Sequence, residues 1–135
     1  MEDSPLLLDG HSHRVLFHSP GYAEEGWLEA FSVRLEGPGL FAEAVVGSAN
    51  AGEELVQFFS ALASDWRGWE GEKSWVAFEK DLAVSAATTR QGRVSITFSL
   101  RRPEHDESWS TKATICCYAG ELQVLANRVS DFFGR

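Results

Sequence analysis

The sharpest periodicity lies near the C-terminal end of the chain. Leu122, Leu125, Ala126, Val129, Phe132 and Phe133 recur at the i, i+3, i+4, i+7 spacing of one helix face, with Gln123, Asn127, Arg128, Ser130 and Asp131 opposite. Gly120-Glu121 opens this helix, its acid near the positive end of the dipole, and Gly134 is a C-cap. A second stripe of Leu55, Phe58, Phe59, Leu62, Ala63 and Trp66 predicts a helix over about residues 51–66, with Trp66 on its core face. Asn50 followed three residues on by Glu53 has the spacing of a capping box, and Gly68 stops the helix.

Elsewhere the period is two. Val94, Ile96, Phe98 and Leu100 alternate with Ser95, Thr97, Ser99 and Arg101, as in an antiparallel strand with one wet face. Leu82, Val84, Ala86 and Thr88 form a strand before it, joined through an Arg90-Gln91-Gly92 hairpin turn. Pro103–Ser108 reads as a polar loop, after which Trp109, Thr111, Ala113, Ile115 and Cys117 line one face of a further strand. In the first half the strands are Val15–His18, the stretch with Phe31, Val33 and Leu35, and Leu40–Val46, with Gly37-Pro38-Gly39 as a turn. Trp75–Phe78 is a short strand or the lead into Leu82, and residues 1–14 read as a flexible N-terminal segment.

Strands then a helix, and strands then a helix again, read as a βββα unit present twice. The expected fold is a single α+β domain over residues 1–135. It has one antiparallel sheet of about six strands with both helices packed on one face, since neither layer can bury its apolar side alone. A rolled, barrel-like sheet around one helix is the alternative.

Composition narrows what such a domain can do. Among 135 residues, twelve Lys/Arg oppose twenty Asp/Glu, a net charge of -8. A nucleic-acid binder needs a basic footprint, so none is expected as a ligand; a basic protein suits this charge better, and an anionic membrane does not. The longest early apolar run, Leu6-Leu7-Leu8, is too short for a signal peptide core or a membrane span, so a cytoplasmic location is expected.

Candidate chemistry is sparse. Cys116 and Cys117 are adjacent, so on a strand they point to opposite faces and do not pair. With no CxxC spacing, no structural zinc site is expected; His11, His13 and His18 are read as surface histidines rather than a metal site. There is no GxSxG elbow, P-loop or GxGxxG, and no catalytic residue or cofactor is assigned. Two features remain. Trp69 and Trp75 sit with Glu70 and Glu72 in the link between the two halves, where they either plug the core or act as aromatic anchors of a partner site. Glu24, Glu25 and Glu29, the Glu70/Glu72 link, and Glu104, Asp106 and Glu107 form acidic patches, each either a solvated surface or a phosphate-like lure for a basic protein.

The run Asp65-Trp66-Arg67-Gly68-Trp69-Glu70-Gly71, continuing through Trp75, Leu82 and the Gln91-Gly92-Arg93-Val94 turn to the last helix, resembles the bacterial domain-of-unknown-function family 6228 over about residues 27–134. More distantly it resembles the wall-associated-protein immunity family. The first resemblance implies a compact bacterial α+β protein and brings no catalytic residues; the second implies neutralisation of a toxin domain by direct binding. Together these readings predict a non-enzymatic, acidic protein-binding domain, an immunity-type inhibitor of a basic toxin or nuclease. It is a monomer or homodimer with Trp69, Glu70, Glu72 and Trp75 as partner contacts. The alternatives are a small-molecule binder with an aromatic-lined cavity between sheet and helices, or a homodimeric accessory protein.

Overall fold

The computed structural model describes residues 5–48, 50–103 and 108–134. The chain order is β1 (Leu6–Asp9), β2 (Arg14–Tyr22), β3 (Leu28–Gly37), β4 (Leu40–Gly47), α1 (Ala51–Ser64), β5 (Glu72–Val76), β6 (Leu82–Thr88), β7 (Arg93–Pro103), β8 (Ser108–Tyr118) and α2 (Leu122–Phe133). The strands form two antiparallel sheets of four, β1-β2-β3-β4 and β5-β6-β7-β8.

The domain is therefore α+β with two helices, but the single sheet of about six strands is corrected to two sheets of four. Each is a sequential meander, and α1 carries the chain from the end of the first to the start of the second, so β4 and β5 never pair. The repeated unit is ββββα. Its first strand was hard to read in both copies. Leu6-Leu7-Leu8 shows no alternation, although Leu6 and Leu8 are buried and Leu7 is not; Glu72–Val76 carries two charges on an edge strand. Thus Leu6–Asp9, inside the segment expected to be a flexible lead, pairs with Arg14–Phe17. The expected acidic patch at 104–107 lies outside the described residues.

Each sheet buries one face. Val15, Phe17, Phe31, Val33, Leu35, Ala44 and Val46 do so in the first; Leu82, Val84, Ala86, Val94, Ile96, Phe98, Leu100, Ala113 and Ile115 do so in the second. Both rows join Leu55, Phe59 and Leu62 of α1 and Leu122, Ala126, Val129 and Phe133 of α2 in one core. Full burial of each Val, Leu, Ile or Phe side chain among them stabilises the fold by about 1.5–3 kcal/mol before entropy is counted. Phe17 is at its centre, stacked on Phe31 at 5.6 Å and edge-on to Phe98 at 6.3 Å and Phe133 at 6.2 Å.

The helices run antiparallel: Gly52 at the start of α1 abuts Phe133 at the end of α2, while Ala63 near the end of α1 shares a cleft with Gly120 and Gln123 at the start of α2. The α2 C-cap is Gly134 in the left-handed conformation, and Glu121 Oε1 accepts the Tyr118 N–H at 2.7 Å. The other predicted cap does not form, because Asn50 makes no side-chain hydrogen bond to α1. α1 also ends earlier than expected, at Ser64, which takes Trp66 off the helix face: it is 52% exposed, under the Arg67 guanidinium at 5.2 Å, and not in the core. In β2 the ladder slips between His18 and Gly21, where Ser19 has a positive φ and Pro20 lacks a donor.

Candidate functional site

The link from α1 to β5 holds the four residues expected to contact a partner. It turns at Gly68, φ +116°, whose N–H bonds to the Asp65 carbonyl at 2.8 Å. The turn brings Trp69 back onto the core edge, half-buried. Its indole N–H donates to the Ala86 carbonyl at 3.2 Å and its carbonyl accepts from Thr88 Oγ1 at 3.0 Å. Lys73 lies 5.4 Å above the ring and pairs with Asp65. Trp75, also half-buried, donates its indole N–H to Glu54 Oε1 of α1 at 2.9 Å.

Both indoles thus have their polar atom engaged inside the molecule, stapling the link and α1 to the second sheet. Glu70 and Glu72 are exposed. Trp75 pairs with the buried Val84, whereas Glu72 pairs with Ala87 in the alternate register that faces away from the core. The four residues share a stretch of chain but not one face.

A concave site forms elsewhere, where β3 begins, α1 begins and α2 ends. Trp27, Leu28, Glu29, Ser48, Asn50, Gly52, Glu53 and Phe133 line an open cleft of about 380 Å³. Local structure explains each wall. Glu29 stands at the head of the odd-numbered run Phe31, Val33, Leu35 that fills the core, and its carbonyl accepts the Ser48 N–H at 2.8 Å, closing β3 onto the end of β4. Gly52 lets α1 approach: a Cβ there would stand 2.9 Å from Phe133 Cδ1 and 3.1 Å from Leu28 Cδ2. Trp27 remains 59% exposed, and among the described residues the only charged groups in the lining are the carboxylates of Glu29 and Glu53. Sequence reasoning picked out Glu29 as part of an acidic patch. It missed Trp27, Glu53 and the cleft itself, whose only local signal is a Trp two residues before a Glu at a strand start.

The first sheet turns a charged ladder to its outer face. His18 Nε2 donates to Glu43 Oε2 at 2.7 Å, Arg34 Nε to the same oxygen at 2.9 Å, and Arg14 reaches Glu36 at 3.4 Å. The His18 hydrogen bond, followed by that of Arg34, holds the Glu43 carboxyl below its usual range against the opposing effect of burial. The second sheet's outer face carries instead a small, hydroxylic row, with Ser74, Ser85, Thr97 and Thr114 in register across all four strands. Cys116 is exposed beside them. Cys117, half-buried, has its thiol pushed up to about 11, first by burial and then by Glu121 and Cys116, which keeps it protonated and poorly nucleophilic near neutrality. Among the described residues no group of three or more His, Cys, Asp or Glu is placed to hold a metal ion.

Fold and clefts together define an α+β domain of two antiparallel meanders, with an open cleft at each end of a helix pair and another between β4 and β8. The chain belongs to a family of unknown function, DUF6228, whose model matches residues 6–135. No curated protein matches it. No helix among the described residues is long and apolar enough to cross a membrane.

Proposed function

We propose that the domain is a non-enzymatic module that binds a basic partner protein, acting in the bacterial cytoplasm as an immunity-type inhibitor that occludes a basic toxin or nuclease. One observation carries this reading: the cleft between β3, α1 and α2 combines an exposed indole with carboxylates as the only charges among its described residues, in a chain of net charge -8. Rigid aromatics bordered by charge supply the buried contact of an interface, and a like-signed field steers an oppositely charged partner to it. Glu70 and Glu72, exposed on the link, extend the acidic surface; Trp69 and Trp75 support it from beneath. Occlusion needs no cofactor.

Calorimetric titration of the full chain with a cationic oligopeptide of alternating Arg and Gly, and with its Glu-Gly counterpart, tests the reading. Only the cationic peptide should bind, and its affinity should fall about tenfold between about 50 mM and about 300 mM salt. Equal binding of both peptides, or of neither, overturns it.

A further inference from the structure

We infer that the cleft between β3, the start of α1 and the end of α2 is a pocket for one arginine side chain of the partner, an inference that rests on the basic-partner reading. Four independent features point to it. Among the described residues the charge is one-signed, Glu29 and Glu53 being the only charged residues in the lining. An indole 59% exposed forms one wall, and the phenyl of Phe133 forms part of the lining.

The third feature is a contrast within the molecule. Arg34 lies over Phe41, Arg67 over Trp66, Lys73 over Trp69 and Arg93 over Tyr118, each within 5.4 Å of the ring centre. Trp27, although carboxylates share its cleft, carries no such cation among the described residues. The fourth is Ser48. It lines the cleft at 4% exposure and brings to the wall a hydroxyl, a group that can accept an N–H.

The start of α1 also faces this cleft, and its dipole disfavours a cation. That opposing field amounts to roughly half a charge, against two full carboxylates, so the acids win. Between the two cationic side chains the chemistry of the lining favours arginine. A planar guanidinium stacks on an indole while its edge donates to two carboxylates, whereas an ammonium is a compact, strongly hydrated point charge. The cleft of Ala63, Trp66, Ala119, Gly120 and Gln123, at the opposite end of the helix pair, has no charged lining residue among the described residues and serves as an internal comparison.

The test is nitrogen–proton NMR of the full chain titrated with capped Gly-Arg-Gly, Gly-Lys-Gly and Gly-Glu-Gly. The arginine peptide is expected to move the Trp27 indole N–H and the amides of residues 48–53, with the lysine peptide roughly threefold weaker or more and the glutamate peptide silent. Glu29→Gln with Glu53→Gln should weaken the arginine peptide roughly tenfold. Trp27→Leu, at an exposed position where folding is not at stake, should weaken it to the level of the lysine peptide. Trp66→Leu should change nothing. Cationic peptides that shift only Glu70 and Glu72 overturn the pocket while leaving the basic-partner reading standing; no shift with any cationic peptide overturns both. Equal responses to arginine and lysine overturn the arginine assignment.

Discussion

His18 and Arg34 converge on one oxygen of Glu43, from the two strands β2 and β3 that lie beyond it in the sheet. The contact is partly exposed, so its worth is small, a few tenths to about 1 kcal/mol at low salt. Its pH dependence nonetheless has a definite sign. The folded carboxyl titrates below its unfolded value of about 4.3. The stabilisation is therefore complete above that unfolded value and is lost as pH falls through the lower, folded one. Glu43→Gln should lower the midpoint of thermal unfolding slightly at neutral pH, and the gap from the unsubstituted chain should close below about pH 4. A gap that widens on acidification would show that Glu43 is not the carboxylate the network holds ionised.

At the scale of elements, the start of α1 is decided by packing rather than by capping. Gly52 would gain about 0.8–1 kcal/mol of helix propensity as Ala. The added methyl would meet the Phe133 ring at 2.9 Å, and overpacking of this kind costs about 1–3 kcal/mol. Gly52→Ala is thus expected to destabilise the domain by about 1 kcal/mol, read from the urea midpoint, and a gain in stability would show that α2 yields freely there. This balance also marks what the chain pattern could reveal. α2, the core face of α1 and the β6–β7 hairpin were legible because their signals are local: a 3.6-residue stripe, strict alternation, a Gly turn. β1 and β5 were not, since an edge strand a few residues long can be uniformly apolar or charged and still pair. Trp66 looked like core because it extends the Leu62 spacing, but the helix had already stopped at Ser64. The cleft was hidden for a different reason. Its walls come from residues 27 to 133 and meet only through the antiparallel helix pair. Trp69 and Trp75 were legible as unusual, yet nothing local says that Ala86 and Glu54 take up their indole N–H groups.

At the scale of the molecule, two ββββα repeats share one interior. Phe17 from the first repeat touches Phe31 of its own sheet, Phe98 of the other sheet and Phe132 and Phe133 of α2. A repeat removed from its partner would leave those rings in water. The chain should therefore unfold as one unit, with far-UV circular dichroism and tryptophan fluorescence tracing a single superimposable curve in urea, although the tryptophans lie in both repeats. Phe17→Ala should shift both signals together and cost about 3–5 kcal/mol. Separate midpoints would mean that the repeats are independent.

The layered plan also sets one of the chain's two thiols, Cys116, away from its helix side. Cys116 stands on the outward, hydroxyl-bearing surface of the second sheet, and its neighbour Cys117 stays protonated to about 11. A maleimide at neutral pH would thus find one anchorage, on the side turned away from both helices. Domains tethered to a sensor chip through it would stand in a common orientation with their acidic mouths toward the flowing solution.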